Sequence, residues 1–459
     1  MLRKALGISR RTFLNKTTAA TSAIVAGSLI THADLEAVSG QMNTNSKPSA
    51  LRITDMRVVI ASPPYEADSR CLIRLDTNQG ISGYGDVRGR ASKTYALILK
   101  NRIMGMNPCD VAAIFYKIKQ HGDHGVMGGG VSAVEMACWD LAGKAWGVPV
   151  WQMLGGKFRD KILIYADTTS SPNAAQMVTH LKERVTQGFK FLKMDLAVAE
   201  LAGAGNVVRP PAMTAAGLGG MPRSPHQFSG GQITEKGLRA VEDYCAAVRE
   251  GVGWNIPVAT DHYGSFNVEN IIKFAQTVDK FNFAWLEDTV PWQFADDLVR
   301  IKNSCKTPIL TGEDIYLATG FKELFEKRAI SIAHPDPAEC GGILEAKKIA
   351  DLAAQHGIAT CFHNHNNPTT LFAAVHAAAA SEQFMALEFH NGDHTEEFLS
   401  VVSGVPKPII NDGFVAVPDG PGLGFDYNLE ALKKWVKAPG FFEPTKEWDN
   451  ERSFDGQFL

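Results

Sequence analysis

No two cysteines in this chain stand close enough to make a CxxC pair. The seven lie singly at 71, 109, 138, 245, 305, 340 and 361. That spacing argues against a zinc cluster and a disulfide framework, and leaves buried free thiols as the expected state. An excess of one charge is missing too. Lys and Arg number 46 and Asp and Glu 49, leaving a net charge of −3 and a pI near 6.5. Such a balance gives no footprint for a nucleic acid or an anionic membrane surface. Nor is there a long apolar run. The most apolar segment near the start, residues 17–30, is rich in Ala and Thr. It falls short of the roughly 20 residues that cross a bilayer, so no stable membrane span is expected. What remains is an ordinary soluble composition, 45% apolar and 21% charged, in 459 residues. A chain of that size buries a large core and suits two domains.

Residues 1–33 read as a twin-arginine signal peptide. Ser9-Arg10-Arg11-Thr12-Phe13-Leu14-Asn15-Lys16 supplies the arginine pair, and Thr31-His32-Ala33 a small-residue cleavage site. The expectation is a protein exported in folded form that works in the periplasm, where thiols stay reduced by burial. An amphipathic helix or a single membrane anchor is the plainer reading of the same residues. Residues 34–50 are polar and read as linker.

Residues 51–61, 70–76 and 81–85 read as strands between turn residues, and helical periodicity follows near 91–103, 109–120 and 131–146. This predicts an α+β module over 51–160. From Ile162 the pattern becomes strand-then-helix, the repeating unit of a (β/α) barrel, predicted over 161–403. Between Leu196 and Ile233 the repeat breaks into Gly, Pro and Ala. Residues 197–232 therefore read as an insert after the second strand, on the catalytic face, with the character of a lid or, more plainly, of a disordered loop. Residues 404–459 contain the strand-and-turn stretch IINDGFVAVPDGPGLG and are expected to return to the first module.

The repeat carries a ladder. Lys193, Asp261, Glu287, Glu313, Asp336, His363 and Glu388 stand 68, 26, 26, 23, 27 and 25 residues apart. Each sits at or near the end of a short apolar run, such as NIPVATD, NFAWLE or GIATCFH. Charged groups at successive strand C-termini converge on one mouth of a barrel, where active sites of that fold lie. Asp261, Glu287 and Glu313 come from three consecutive units, and like charges that close need a cation. With no Cys or His among them a hard ion is indicated, Mg2+ best, one per site. Singly, each is as readily a salt-bridge partner or helix N-cap. Asp336 and His363 come from the next two units. A carboxylate on one imidazole nitrogen fixes the tautomer and leaves the other free to take a proton. His376, inside LFAAVHAAAA, and His334, two residues before Asp336, read as structural.

These residues carry a resemblance. SAVEMACWDLAGKAWGVPVWQMLGG, the LED ending at Asp288, TGED around Glu313, HPD...CGGILEAKKIA and DGFVAVPDGPGLG resemble the mandelate racemase/muconate lactonizing enzyme family of the enolase superfamily. The likeness runs over nearly everything from about 51 to 430. It implies an α/β fold, a modified TIM (β/α)7β-type barrel with an α+β capping domain built from the N-terminal segment and the C-terminal tail. It also implies Mg2+ on Asp261, Glu287 and Glu313 and removal of the proton α to a carboxylate. The His363/Asp336 pair matches the racemase-type branch. Glu388 matches the position that hydrogen-bonds the substrate carboxylate, with a salt bridge as the plainer reading. Where the family often carries Lys-x-Lys, this chain has Lys193-Met194-Asp195. Lys193 can neutralise a substrate carboxylate, but Asp195 is a poor base for an α-proton and reads as a substrate contact. That departure favours one-base elimination over two-base racemisation.

Galactonate dehydratase-like members often read Asp-x-His at the third strand, and here it is Asp261-His262-Tyr263. The general acid is then Tyr263, His262 or His363 itself. Residues 62–70 occupy the loop that closes over substrate in this family, which makes Tyr65 and Arg70 candidate contacts. His365, with Asn364 and Asn366, follows the base. The implied activity is Mg2+-dependent dehydration of a small carboxylated sugar to a 2-keto-3-deoxy acid, by a homo-oligomer with no nucleic-acid partner. Alternatives are an epimerase, racemase or cycloisomerase sharing the first step, and a non-catalytic periplasmic binder of acid sugars.

Overall fold

The computed structural model describes residues 47–63, 70–87, 93–122, 129–196, 205–208, 232–261, 266–365, 367–390, 392–436 and 440–450. The expected signal peptide lies outside the described residues, as do Tyr65, His262, Tyr263, Asn366 and most of the 197–232 insert.

Three antiparallel strands come first, β1 (Ile53–Ala61), β2 (Arg70–Thr77) and β3 (Ser82–Val87), in that spatial order. Their inward residues Ile53, Met56, Ile73, Leu75 and Val87 share a core with Ile114 of α1 (Val111–Ile118) and Val134 and Leu141 of α2 (Gly129–Trp146). The approach of α2 to β3 needs glycine. A Cβ at Gly85 would lie 1.8 Å from the Ala133 carbonyl oxygen, and one at Gly83 2.3 Å from that of Ala137.

Eight parallel strands follow: β4 (Lys161–Thr168), β5 (Leu192–Asp195), β6 (Val258–Asp261), β7 (Leu286–Glu287), β8 (Ile309–Thr311), β9 (Ile332–Ala333), β10 (Ala359–Phe362) and β11 (Phe384–Phe389). Each pairs with the next, and β11 closes on β4 through Leu387↔Ile164 and Phe389↔Ala166. Helices cover the outside: α3 (Ala174–Thr186), α4 (Glu235–Val252), α5 (Val268–Val278), α6 (Ala295–Ser304), α7 (Leu317–Glu326), α8 (Ile343–Gln355) and α9 (Pro368–Ala379). Asn173, Thr234 and Asn267 start three of them by accepting the backbone N–H three residues on. Covered on both faces, the strands read as short apolar runs rather than alternating ones. Inside, Tyr165, Phe191, Ala259, Trp285, Leu310, Ile332, Cys361 and Ala386, one for each strand, form an apolar plug. His376 of α9 is fully buried and accepts a hydrogen bond from the Trp151 N–H at 3.2 Å, the structural role expected of it.

The ends of the insert are tied down. Val207–Val208 pairs antiparallel with Gln232–Ile233, and the Asn270 side chain of α5 bonds the Ile233 N–H and the Gln232 carbonyl Oε1 at 2.9 and 3.0 Å.

The tail divides, where the sequence suggested a simple return to the first module. Ile410–Asn411 (β12) and Phe414–Ala416 (β13) form a hairpin, and β13 pairs antiparallel with the lower half of β4 through Phe414↔Leu163 and Ala416↔Lys161. This half of the tail extends the barrel sheet, which buries Val415 in the barrel core. The end of the tail does reach the first module. The buried Lys100 ammonium lies 2.6 Å from both Asp55 and Asp449 and donates to the Thr445 carbonyl at 2.9 Å.

Two carboxylates of the first module bind the starts of barrel helices. Asp86, at the end of β3, accepts from the Asn367 amide at 2.5 Å and from the Thr370 N–H and hydroxyl at 2.8 and 2.6 Å, at the start of α9. Glu135 of α2 accepts from the N–H groups of Ile343 and Leu344, the first residues of α8, at 2.7 and 3.0 Å. Each satisfies donors that a helix N-terminus leaves unpaired. Burial pushes Asp86 up to about 6 and Glu135 up to about 7. Removing Asp86 strands three buried donors. Asp86→Ala should therefore cost roughly 2–4 kcal/mol of folding stability. Urea unfolding would read it, and a loss below about 0.5 kcal/mol would contradict this account of the junction.

Candidate active site

Two residues beyond most plug positions, on the same face of the strand, the chain turns polar. Tyr165, Phe191, Ala259, Trp285, Ile332, Cys361 and Ala386 are followed at that interval by Asp167, Lys193, Asp261, Glu287, His334, His363 and Glu388. One polar ring is thereby stacked on the apolar plug. The exception is β8, where Leu310 is followed by Gly312, at φ 140°, and Glu313 comes one residue later.

Lys193 sits at the centre, almost fully buried. Its ammonium lies 2.6 Å from Glu388 Oε1, 3.0 Å from Asp261 Oδ2 and 3.1 Å from Glu287 Oε1. Burial alone would favour the neutral amine, but Asp261, Glu287 and Glu388 hold it well above the ordinary lysine range. Burial, then the neighbouring Asp261, pushes Glu287 far above the carboxylate range against the pull of Lys193. Burial also raises Glu313, with His363 opposing and Asp261 adding. Glu388 goes the other way. Burial opposes its charge, and Lys193, His390 and His363 outweigh it.

His363 Nδ1 is 2.7 Å from Asp336 Oδ2, and the other oxygen of Asp336 accepts the Ala338 N–H at 2.6 Å. The carboxylate is fixed, so Nδ1 carries a proton and Nε2 is the free position. Nε2 faces into the ring, 3.5 Å from Glu313 Oε2 and 3.7 Å from Glu388 Oε2. Burial disfavours the charged imidazole, yet Glu313, Glu388 and Asp336 hold it well above its ordinary range. A cation beside Glu313 would remove part of that pull.

Asp195 ends β5 opposite Asp261, half-buried. Arg70 is buried and donates to the His365 carbonyl at 2.6 Å, which ties β2 to the loop after β10. Burial drives the His365 imidazole down to about 2, so it is neutral.

Three groups in this ring were missed by reading the ladder alone. His334, read as structural, places Nε2 3.4 Å from Glu388 Oε2 and 3.3 Å from the Tyr165 hydroxyl. His390 stands with Nδ1 3.3 Å from Asp167 Oδ2 and Nε2 3.1 Å from Glu388 Oε1. The signal was present: HPD and EFH each put two polar residues two positions apart on one strand face.

Glu287, Glu313 and His334 bring donor atoms within 4.8 Å of one another, while Asp261 is drawn to Lys193. Carboxylates from three neighbouring strands, Asp261 and Glu287 buried and Glu313 half-buried, with one lysine among them, fit a hard divalent cation. His363, Glu388 and His390 also converge at that spacing. Their donors are engaged by Asp336, Lys193 and Asp167, so this second group reads as imidazoles around a carboxylate.

Comparison with known proteins places this geometry. Residues 51–155 match the family model described as Mandelate racemase / muconate lactonizing enzyme, N-terminal domain, and residues 176–431 match Enolase C-terminal domain-like. D-xylonate dehydratase of Haloferax volcanii is 30% identical over 400 residues, covering 83% of this chain and 88% of its own. D-galactarolactone cycloisomerase of Agrobacterium fabrum is 25% identical, covering 82% of this chain and 93% of its own. A solved mandelate racemase/muconate lactonizing enzyme-like protein from Rubrobacter xylanophilus matches with a TM-score of 0.75 at 29% identity, over 86% of this chain and 99% of that one.

Cation binding here is expected to release protons, because Glu287 and Glu313 must ionise to serve as ligands. Affinity for Mg2+ should fall as pH is lowered, and Glu287→Gln should weaken it roughly 10-fold or more. Calorimetry in two buffers of different ionisation enthalpy reads both effects. Binding indifferent to pH and to the substitution would put the cation elsewhere.

Proposed function

Because the chain belongs to the mandelate racemase/muconate lactonizing enzyme family of the enolase superfamily, we propose that it is an Mg2+-dependent sugar-acid dehydratase. It is an enzyme, a hydro-lyase, in keeping with relatives named D-xylonate and D-galactonate dehydratase. One observation carries the reading. The His363–Asp336 pair, closed at 2.7 Å, aims Nε2 at a ring of carboxylates around a single buried lysine.

The substrate carboxylate enters beside Lys193, which neutralises it, while Glu388 meets the same group from the eighth strand. His363 Nε2 takes the proton from C2, and Asp336 holds Nδ1–H so that the right tautomer faces the substrate. Asp261, Glu287 and Glu313 would hold Mg2+, which when bound would supply electrophilic stabilisation of the carboxyl group. Loss of the C3 hydroxyl then leaves an enol that ketonises to a 2-keto-3-deoxy acid. A cycloisomerase among the relatives favours one second reading, in which the same proton is removed and no water is lost.

The reading is tested with a library of acid sugars and Mg2+ in deuterated water. Keto-acid formation is expected from at least one. His363→Asn and Asp336→Asn should lower it by about 10²–10⁴-fold while Mg2+ still binds. If no acid sugar reacts and no deuterium enters C2 of any bound acid, the enzymatic reading is wrong. Deuterium in recovered, undehydrated acid would favour the cycloisomerase.

We also propose export through the twin-arginine route, on the strength of Arg10 and Arg11. The cysteines are free, five buried and two half-buried, so most are shielded as folded export to the periplasm requires. Replacing both arginines by lysine should hold the full chain in the cytoplasm. Periplasmic recovery of that variant would refute the assignment.

A further inference from the structure

We propose that His390, held by Asp167, is the general acid that protonates the departing C3 hydroxyl. The proposal rests on the dehydratase reading above, and it assigns the group that the ladder left open.

His334, His363, His390 and His365 form a chain of ring contacts, with centroids 5.6, 5.7 and 4.2 Å apart in that order. His363 is committed to Asp336 and to the C2 proton. His334 lies one layer down, its Nε2 between the Tyr165 hydroxyl and Glu388. His365 is neutral, and the backbone that carries it is anchored by Arg70. His390 differs from all three. The pairing Phe389↔Ala166 sets it beside Asp167, 3.3 Å from its Nδ1, as Asp336 stands to His363. Its Nε2 lies 3.1 Å from Glu388 Oε1 without a linear hydrogen bond to it. That N–H is available to a ligand. Burial disfavours its charge, but Asp167 and Glu388 outweigh it and keep the ring protonated above its ordinary range.

Position along the strand suits the role. His390 follows Glu388 by two residues on the same face, roughly 6–7 Å farther toward the mouth. A substrate with its carboxyl group between Lys193 and Glu388 passes His363 at C2. It then presents C3 toward His390, which lies farther along the chain than Glu388 and has Asp167 beside it. As the C2–H electron pair becomes the C2=C3 bond, the C3–O bond breaks and its oxygen takes the Nε2 proton, leaving as water. His363 is then protonated and His390 neutral. Ketonisation moves a proton from His363 to C3 and the enol hydroxyl proton to His390, which resets both rings.

The test uses the best substrate from the acid-sugar library and its 3-deoxy-3-fluoro analogue, since fluoride departs without a proton. His390→Asn should lose water elimination by about 10²–10⁴-fold while keeping fluoride release and C2 exchange within a few-fold of wild type. Asp167→Asn should show a smaller loss with the same selectivity for the hydroxyl substrate. Unchanged water elimination in His390→Asn overturns the assignment. So does equal loss on both substrates in both variants, which marks a merely structural role. If His390→Asn fails to fold, the selectivity of Asp167→Asn decides. A wild-type protein that eliminates neither water nor fluoride refutes the dehydratase reading itself, and the acid with it.

Discussion

The structure turns on one buried electrostatic imbalance. Lys193, almost fully buried, is enclosed by Asp261, Glu287 and Glu388, with the half-buried Glu313 close by. One ammonium cannot offset that many carboxylates, and burial makes each uncompensated charge costly. The ring resolves the conflict partly by proton uptake, which is why Glu287 and Glu313 are pushed up while Glu388, closest to the lysine, is pushed down. A fold does not accumulate such a deficit for stability, because replacing the set with apolar residues would be cheaper. The arrangement makes sense as a site prepared for added positive charge, and for a substrate carboxylate that draws on Lys193 once that charge has arrived.

Everything around the ring serves to hold it in place. Below lies the plug, and strand periodicity lifts one polar side chain above nearly every plug residue. Above and to one side lies the three-stranded module. Asp86 and Glu135 reach from it to the starts of α9 and α8, the helices that follow the strands carrying His363 and Asp336. The proposed base and its partner thus sit on segments whose outgoing helices are clamped by the neighbouring module. The module and the strand ends that carry the proposed base are mechanically joined, which suits the proposed reaction, in which water must be kept from a developing carbanion.

The barrel and most of the ring were legible in the sequence, for a physical reason. Strands buried on both faces are short apolar runs, so a charged residue at the end of each run stands out, and seven such ends at near-constant spacing specify a closed mouth. Reading only one residue per strand end hid Asp167, His334 and His390. The period of two continues past the first polar residue, so that each strand can offer two layers. The tail was harder to read for a different reason. The alternation of Val415 and Val417 marks a strand but not its partner, and pairing with β4 or with β1–β3 would bury the same side chains equally well.

The distribution of charge around the ring also bears on which reaction this site suits. Among the described residues, the imidazoles nearest the mouth all come from β9, β10 and β11 and the loops that follow them, with Asp167 of β4 beside them. The opposite wall, β5 to β8, offers Lys193 and carboxylates. Lys193 is bound by three anions and held protonated, which suits it to neutralise charge and not to accept an α-proton. Asp195, where a second lysine would make the opposite face basic, lies across from Asp261 and adds another carboxyl group there. Racemisation needs a proton removed from one face and delivered to the other. Among the described residues the imidazoles of the ring lie on the histidine wall, where, on the proposed reading, one takes the C2 proton and the next protonates a leaving group one carbon away. A site with this one-sided supply of exchangeable protons is better matched to elimination than to inversion.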